Sequence, residues 1–161
     1  SGYTFPLCYG EEKNYFAQES HLGYGLAMAY KADGNKREYE KALKSAMTDH
    51  AAPSEISYFR ALAFYEAGEI SAAHALCEEM IEAGKEKIRD KDIPAYYGVG
   101  SPCPCPFEYN FPKINTVKGL ILEAFGELGL GRVIEAKEHI AEAKKLDVTN
   151  FAVAMFEEFC K

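Results

Sequence analysis

Cys103-Pro104-Cys105 is the part of this sequence that most invites a chemical reading. Two thiolates at that spacing supply half of the four ligands that a tetrahedral zinc ion takes. The histidines that could complete the set, His21, His50, His74 and His139, are scattered and none lies beside the pair. A disulfide across one intervening residue would be strained. The pair therefore reads as two loop thiols. No histidine sits in an H-E-x-x-H pattern, and none joins a serine or cysteine nucleophile signature. The paired carboxylates Glu78-Glu79 and Glu157-Glu158 are consecutive residues on helical stretches. Neighbours on a helix diverge, whereas glycoside hydrolysis needs two carboxyl groups facing across a pocket. No phosphate-cradling glycine loop and no dinucleotide fingerprint is present. The expectation is a chain with no catalytic residue, no metal and no cofactor.

Composition points the same way. The chain has 161 residues, 48% hydrophobic and 27% charged, which suits one globular domain. Lysine and arginine number 18 against 25 aspartates and glutamates, a formal charge of −7. Nucleic acid and anionic membrane surfaces attract basic patches, so both are disfavoured as partners. No apolar run reaches the ~18 residues of a membrane span. The opening residues Ser1-Gly2-Tyr3-Thr4-Phe5-Pro6 lack the basic-then-apolar pattern of a secretion signal. Five cysteines, an odd number without a framework spacing, suit free thiols in a reducing compartment. A cytoplasmic location is expected.

The elements that would position any site come from a repeat. Three segments, residues 21–47, 55–81 and 118–144, align on the turn glycines Gly34, Gly68 and Gly131. Gly34 and Gly68 are 34 residues apart, and Gly68 and Gly131 are 63 apart, one further unit plus an insertion of 29. Seven positions before each glycine stands Ala27, Ala61 or Ala124, and after it come Ala46, Ala73, Ala136 and Ala143. Apolar residues recur at helical spacing, as in Ala73, Cys77, Met80 and Ile81. Each unit thus reads as two amphipathic helices joined by a glycine turn, unable to bury its faces without a neighbour. Helices are expected over about 14–32, up to 49, 55–67 with Ser54 as N-cap, 69–90, 113–128, 132–146 and 151–160. Between them, Pro94, Pro102, Pro104 and Pro106 exclude a regular helix. The aromatics Tyr96, Tyr97, Phe107, Tyr109 and Phe111 suggest a loop that packs back on the body.

These residues resemble the tetratricopeptide repeat, whose 34-residue unit has small residues at the same close-packing positions. The resemblance implies one all-α domain, a right-handed α-α superhelix. Its repeats would span about 20–53, 54–87 and 117–150, with the insertion at about 88–112 and a capping helix at about 151–160. Tyr39 stands where the family has alanine, Arg60, Glu123 and Glu127 where it prefers apolar residues, and Val148 where it has proline.

The resemblance also implies a concave groove lined by the first helix of each pair. Carried over position by position, the groove is His21, Tyr24, Met28 and Lys31, then Glu55, Tyr58, Leu62 and Tyr65, then Lys118, Ile121, Phe125 and Leu128. This stripe is aromatic and apolar, which suits a protein or peptide partner. The carboxylate clamp of some family members is disfavoured, because its positions hold Tyr24, Met28, Phe59 and Leu122, with only Lys118 suitable. The second half, with YYGVGSP, PFEYNFPKIN and KKLDVTNFAVA, resembles the C-terminal tail of large bacterial proteins that carry domain of unknown function 5107. That resemblance implies a fragment of a longer protein. The expected function is a non-catalytic interaction or scaffold module. The alternative is an accessory C-terminal module of a carbohydrate-active, glycosidase- or mutarotase-like bacterial enzyme, serving intramolecular docking or self-association.

Overall fold

The structure is a computed structural model and describes residues 19–48, 52–90, 97–98, 101–102 and 110–160. The described residues form seven helices: α1 (Ser20–Ala32), α2 (Lys36–Met47), α3 (Ser57–Glu66), α4 (Ile70–Arg89), α5 (Phe111–Gly129), α6 (Val133–Leu146) and α7 (Phe151–Phe159). Two short strands, β1 (Tyr97–Gly98) and β2 (Ser101–Pro102), pair antiparallel with Tyr97 opposite Pro102. The chain is all-α in class apart from this two-residue ladder. No helix among the described residues is long and apolar enough to cross a membrane.

The three turns are built alike. Gly34, Gly68 and Gly131 have φ of 74°, 80° and 76°, a left-handed conformation that glycine adopts without a Cβ clash. In each turn the N–H after the glycine donates to a carbonyl five residues back: Asn35 to Tyr30, Glu69 to Phe64, Arg132 to Glu127. This closes each helix in the Schellman manner and satisfies carbonyls that the helix end leaves over. Asparagine then starts three helices. The side-chain oxygens of Asn35, Asn110 and Asn150 accept from the N–H groups of Glu38, Lys113 and Ala152 at 3.3, 3.0 and 3.0 Å.

Three boundaries differ from the sequence expectation. The helix expected from residue 55 begins at Ser57, because the Ser54 hydroxyl accepts from Ile56 N–H at 3.1 Å and holds Glu55-Ile56 in a turn. The helix expected over 113–128 runs from Phe111 to Gly129, because Pro112 falls in its first turn, where proline is tolerated. The second helix ends at Met47, about two residues early. The start of the first helix at 14–18, the aromatic loop residues Tyr96, Phe107 and Tyr109, and the Cys103–Cys105 pair lie outside the described residues.

Among the described residues α1 packs on α2 and α3, α2 on α3, α3 on α4 and α5, α4 on α5, α5 on α6 and α7, and α6 on α7, and Phe159 of α7 also reaches Phe59 of α3. Of the small residues singled out in the repeat, Ala27, Ala61, Ala73, Ala124, Ala136 and Ala143 are fully buried. The most extensive packing is between α4 and α5. A Cβ on Gly119 would lie 2.5 Å from the Gly84 carbonyl oxygen, and one on Gly126 would lie 2.6 Å from that of Cys77. Glycine is what lets these two long backbones approach.

A candidate interaction surface

The first helix of the first pair places Tyr24 and Met28 one turn apart, both half-buried. The Tyr24 ring lies 6.3 Å and the His21 ring 6.1 Å from the ring of Phe59 on α3. Phe59 in turn packs edge-on against Phe159 of α7 at 5.6 Å. A row of aromatic rings therefore crosses three helices, from α1 through α3 to α7. Phe59 and Phe159 were not in the carried-over stripe. The Phe156-x-x-Phe159 spacing on the last helix was the available signal, since residues three apart share a helix face.

Three carried-over groove residues do not line an open surface. Tyr58, Ile121 and Phe125 are 6%, 3% and 0% exposed. Tyr58 and Phe125 lie against α7, and Ile121 belongs to the same core cluster. Phe156 packs against Phe125 at 5.4 Å, and Phe159 against Tyr58 at 5.1 Å. Burial pushes the Tyr58 phenol up to about 12. These residues seat the last helix. Leu62 is half-buried and packs on the same core. Tyr65 is half-buried, and its hydroxyl donates to the Gly129 carbonyl at 2.6 Å, tying α3 to the end of α5. Lys118 is exposed and stands at the rim of a cavity of about 310 Å³, with Lys113, Ile114, Val117, Leu146 and Asn150.

Lys31 has a structural task. Its ammonium pairs with Glu66 Oε1, which also accepts from the Tyr39 hydroxyl at 3.0 Å. The bond to Lys31 holds the Glu66 carboxyl below its ordinary range and raises the Lys31 ammonium. Burial raises the Tyr24 phenol, and the nearby Glu66 charge adds to that. Tyr39, which stands where alanine was expected, thus joins the first helical pair to the second through a carboxylate.

Two other departures from the repeat pattern meet in the interior. Glu123 and Glu127 are 7% and 8% exposed on α5. Glu127 Oε2 lies 2.8 Å from His139 Nδ1 on α6, so the carboxylate has an interhelical partner. Burial raises the Glu123 carboxyl, with the Glu127 charge adding and the His139 side lowering. Cys77 is buried beside Tyr65, and burial pushes its thiol up to about 11, leaving it protonated and a poor nucleophile at neutral pH. Among the described residues no group of three or more His, Cys, Asp or Glu is placed to hold a metal ion. The geometry offers apolar contact across α1, α3 and α7, and the pairs Lys31–Glu66, Glu127–His139 and Lys144–Glu157 bridge neighbouring helices.

No protein-family model, curated protein or solved structure matches this chain.

Proposed function

We propose that the chain is a tetratricopeptide-like α-α superhelix acting as a non-catalytic interaction or scaffold module, which binds an apolar peptide or helical protein segment along α1, α3 and α7. The observation that carries this reading is the continuous row of rings from Tyr24 through Phe59 to Phe159, flanked by Met28 and Leu62. A row of partly exposed rings and thioethers adapts to a partner's side chains. Covering apolar area contributes about 25 cal/mol per Å², from which the costs of association are subtracted. A few covered rings therefore support binding of modest strength.

The test is a displayed peptide library selected against the protein and counter-screened on Tyr24→Asp and Met28→Asp. Tyr58→Asp is unsuitable, because it places a charge in the core. Each exchange of a half-buried apolar group for a carboxylate is expected to weaken the selected peptides about tenfold or more, since ~1.4 kcal/mol is tenfold in affinity. Undiminished binding by both variants, folded by circular dichroism, contradicts the reading.

A further inference from the structure

The three glycine turns share one backbone shape and differ in the residue before the glycine. That residue is Asp33 in the first turn, Ala67 in the second and Leu130 in the third. Asp33-Gly34 is the one aspartate–glycine step in the sequence, and no asparagine precedes a glycine. Such a step sets a carboxyl carbon beside a peptide nitrogen that no neighbouring side chain shields. Asp33, Gly34 and Asn35 are all exposed. The Asp33 carboxyl makes no hydrogen bond or ion pair among the described residues, so it is free to turn. A Cβ built on Gly34 would meet nothing within 4 Å, so a ring closing there has room.

We propose that Asp33-Gly34 is a site of spontaneous backbone modification, where an isoaspartyl link replaces the aspartyl one and unlocks the turn between α1 and α2. The Gly34 nitrogen adds to Cγ of the protonated Asp33 carboxyl, and the new N–Cγ bond closes a five-membered succinimide. One side-chain oxygen leaves as water, carrying the nitrogen's proton and the acid's own. A second water then opens the ring. If it breaks the N–Cγ bond, aspartate returns. If it breaks the bond from the nitrogen to the Asp33 carbonyl carbon, the main chain runs through Cβ and Cγ. The chain is then one carbon longer, with the α-carboxyl as the side group. Water is the only co-reactant.

The native turn restrains this step and is undone by it. With Asp33 at ψ of −5°, the Gly34 N–H donates to the Lys31 carbonyl at 3.2 Å. The nitrogen must swing from there towards Cγ, so reaction proceeds from openings of the turn. The cluster around the first pair has a single large buried side chain, Leu43, which favours such local opening. The bond from Asn35 N–H to the Tyr30 carbonyl, 2.9 Å, spans the link that lengthens. The Asn35 side chain also caps α2 through Glu38 N–H. An added carbon between Asp33 and Gly34 therefore removes the closure of α1 and displaces the cap of α2.

The chemistry at Asp33 is independent of the proposed peptide row, and no arm of its test uses a peptide ligand. The full chain is aged at neutral pH, warm but below its melting temperature. It is then offered to an isoaspartyl methyltransferase, which methylates the α-carboxyl of an isoaspartyl residue, and peptide mapping locates the methyl group. Methyl acceptance is expected to grow with time and to map to residue 33. Asp33→Glu keeps the charge at an exposed site but needs a slower six-membered ring, so it is expected to lose that acceptance with an unchanged helical spectrum. Amide exchange in the aged chain is expected to quicken several-fold over residues 34–38 and to stay slow in α4 and α5. Aged Asp33→Glu is expected to exchange as the fresh protein does. Absence of isoaspartate at residue 33, equal acceptance in Asp33→Glu, or isoaspartate at 33 with exchange over 34–38 unchanged, each overturns the proposal.

Discussion

Gly126 carries more of the architecture than any turn glycine. A methyl there would meet the Cys77 carbonyl at 2.6 Å and Ile81 Cγ1 at 2.7 Å. The first contact is backbone and cannot swing aside. Gly126→Ala is expected to lower stability by about 1–3 kcal/mol, read as a lowered denaturation midpoint. Gly131→Ala meets no atom and has only its left-handed φ to resist it, so a cost of about 1 kcal/mol is expected. The sequence showed the turn glycines through their spacing. It hid Gly84, Gly119 and Gly126, because close approach of two backbones is a property of the pair and leaves no period in either helix. The carboxylates give opposite pH dependences. The Lys31 bond lowers the Glu66 carboxyl in the fold, so its contribution is present above the ordinary 4.5 and is lost as pH falls below it. Burial raises the Glu123 carboxyl, so folding is opposed as pH climbs above 4.5 and this group must ionise in the interior. Glu66→Gln is expected to flatten the loss of thermal stability below pH 4.5, and Glu123→Gln to raise the melting temperature at neutral pH.

Among the elements, α7 decides which of the carried-over positions are covered. As a cap on the open end it was legible, because residues 151–160 are apolar at helical spacing after the Asp147–Asn150 break. Its reach to α3 was not legible, because which ring Phe159 meets depends on the tilt of a helix against two others. This is why Tyr58 and Phe125 read as groove residues by position yet sit against α7. Phe156 is 1% exposed and packs on Phe125. Phe156→Ala is expected to cost about 3–5 kcal/mol and to accelerate amide exchange throughout α7. Phe159→Ala, at the exposed edge, is expected to cost much less and leave that exchange slow. Equal effects would mean that α7 is held by something other than its inner face.

At the scale of the molecule, stability should be the sum of helix pairs and the contacts between neighbours. The contributions are uneven. The cluster around the first pair is Ala27, Ala42 and Ala46, with Ala63 of α3, around a single large buried side chain, Leu43. The cluster around α5 holds Phe125, Phe156, Met80, Leu120, Ile121 and Ile140. Hydrogen exchange is therefore expected to be faster in α1 and α2 than in α4 and α5; the reverse order would contradict this weighting. The all-α class and the order of helices were legible because three glycine turns and a 3.6-residue period repeat through the chain. Of the positions carried over for the groove, Tyr24 and Met28 on α1 are half-buried, whereas Tyr58, Ile121 and Phe125 are buried.

The central claim is that the row of rings across α1, α3 and α7 receives a partner's apolar segment. Titrating a library-selected peptide into isotope-labelled protein and following side-chain resonances tests it most directly. Saturable shifts are expected at Tyr24, Met28, Phe59, Leu62 and Phe159, with Ile70, Val133 and Ile134, exposed at the starts of α4 and α6, unmoved. Shifts centred on those three residues, with the ring row unmoved, would contradict it.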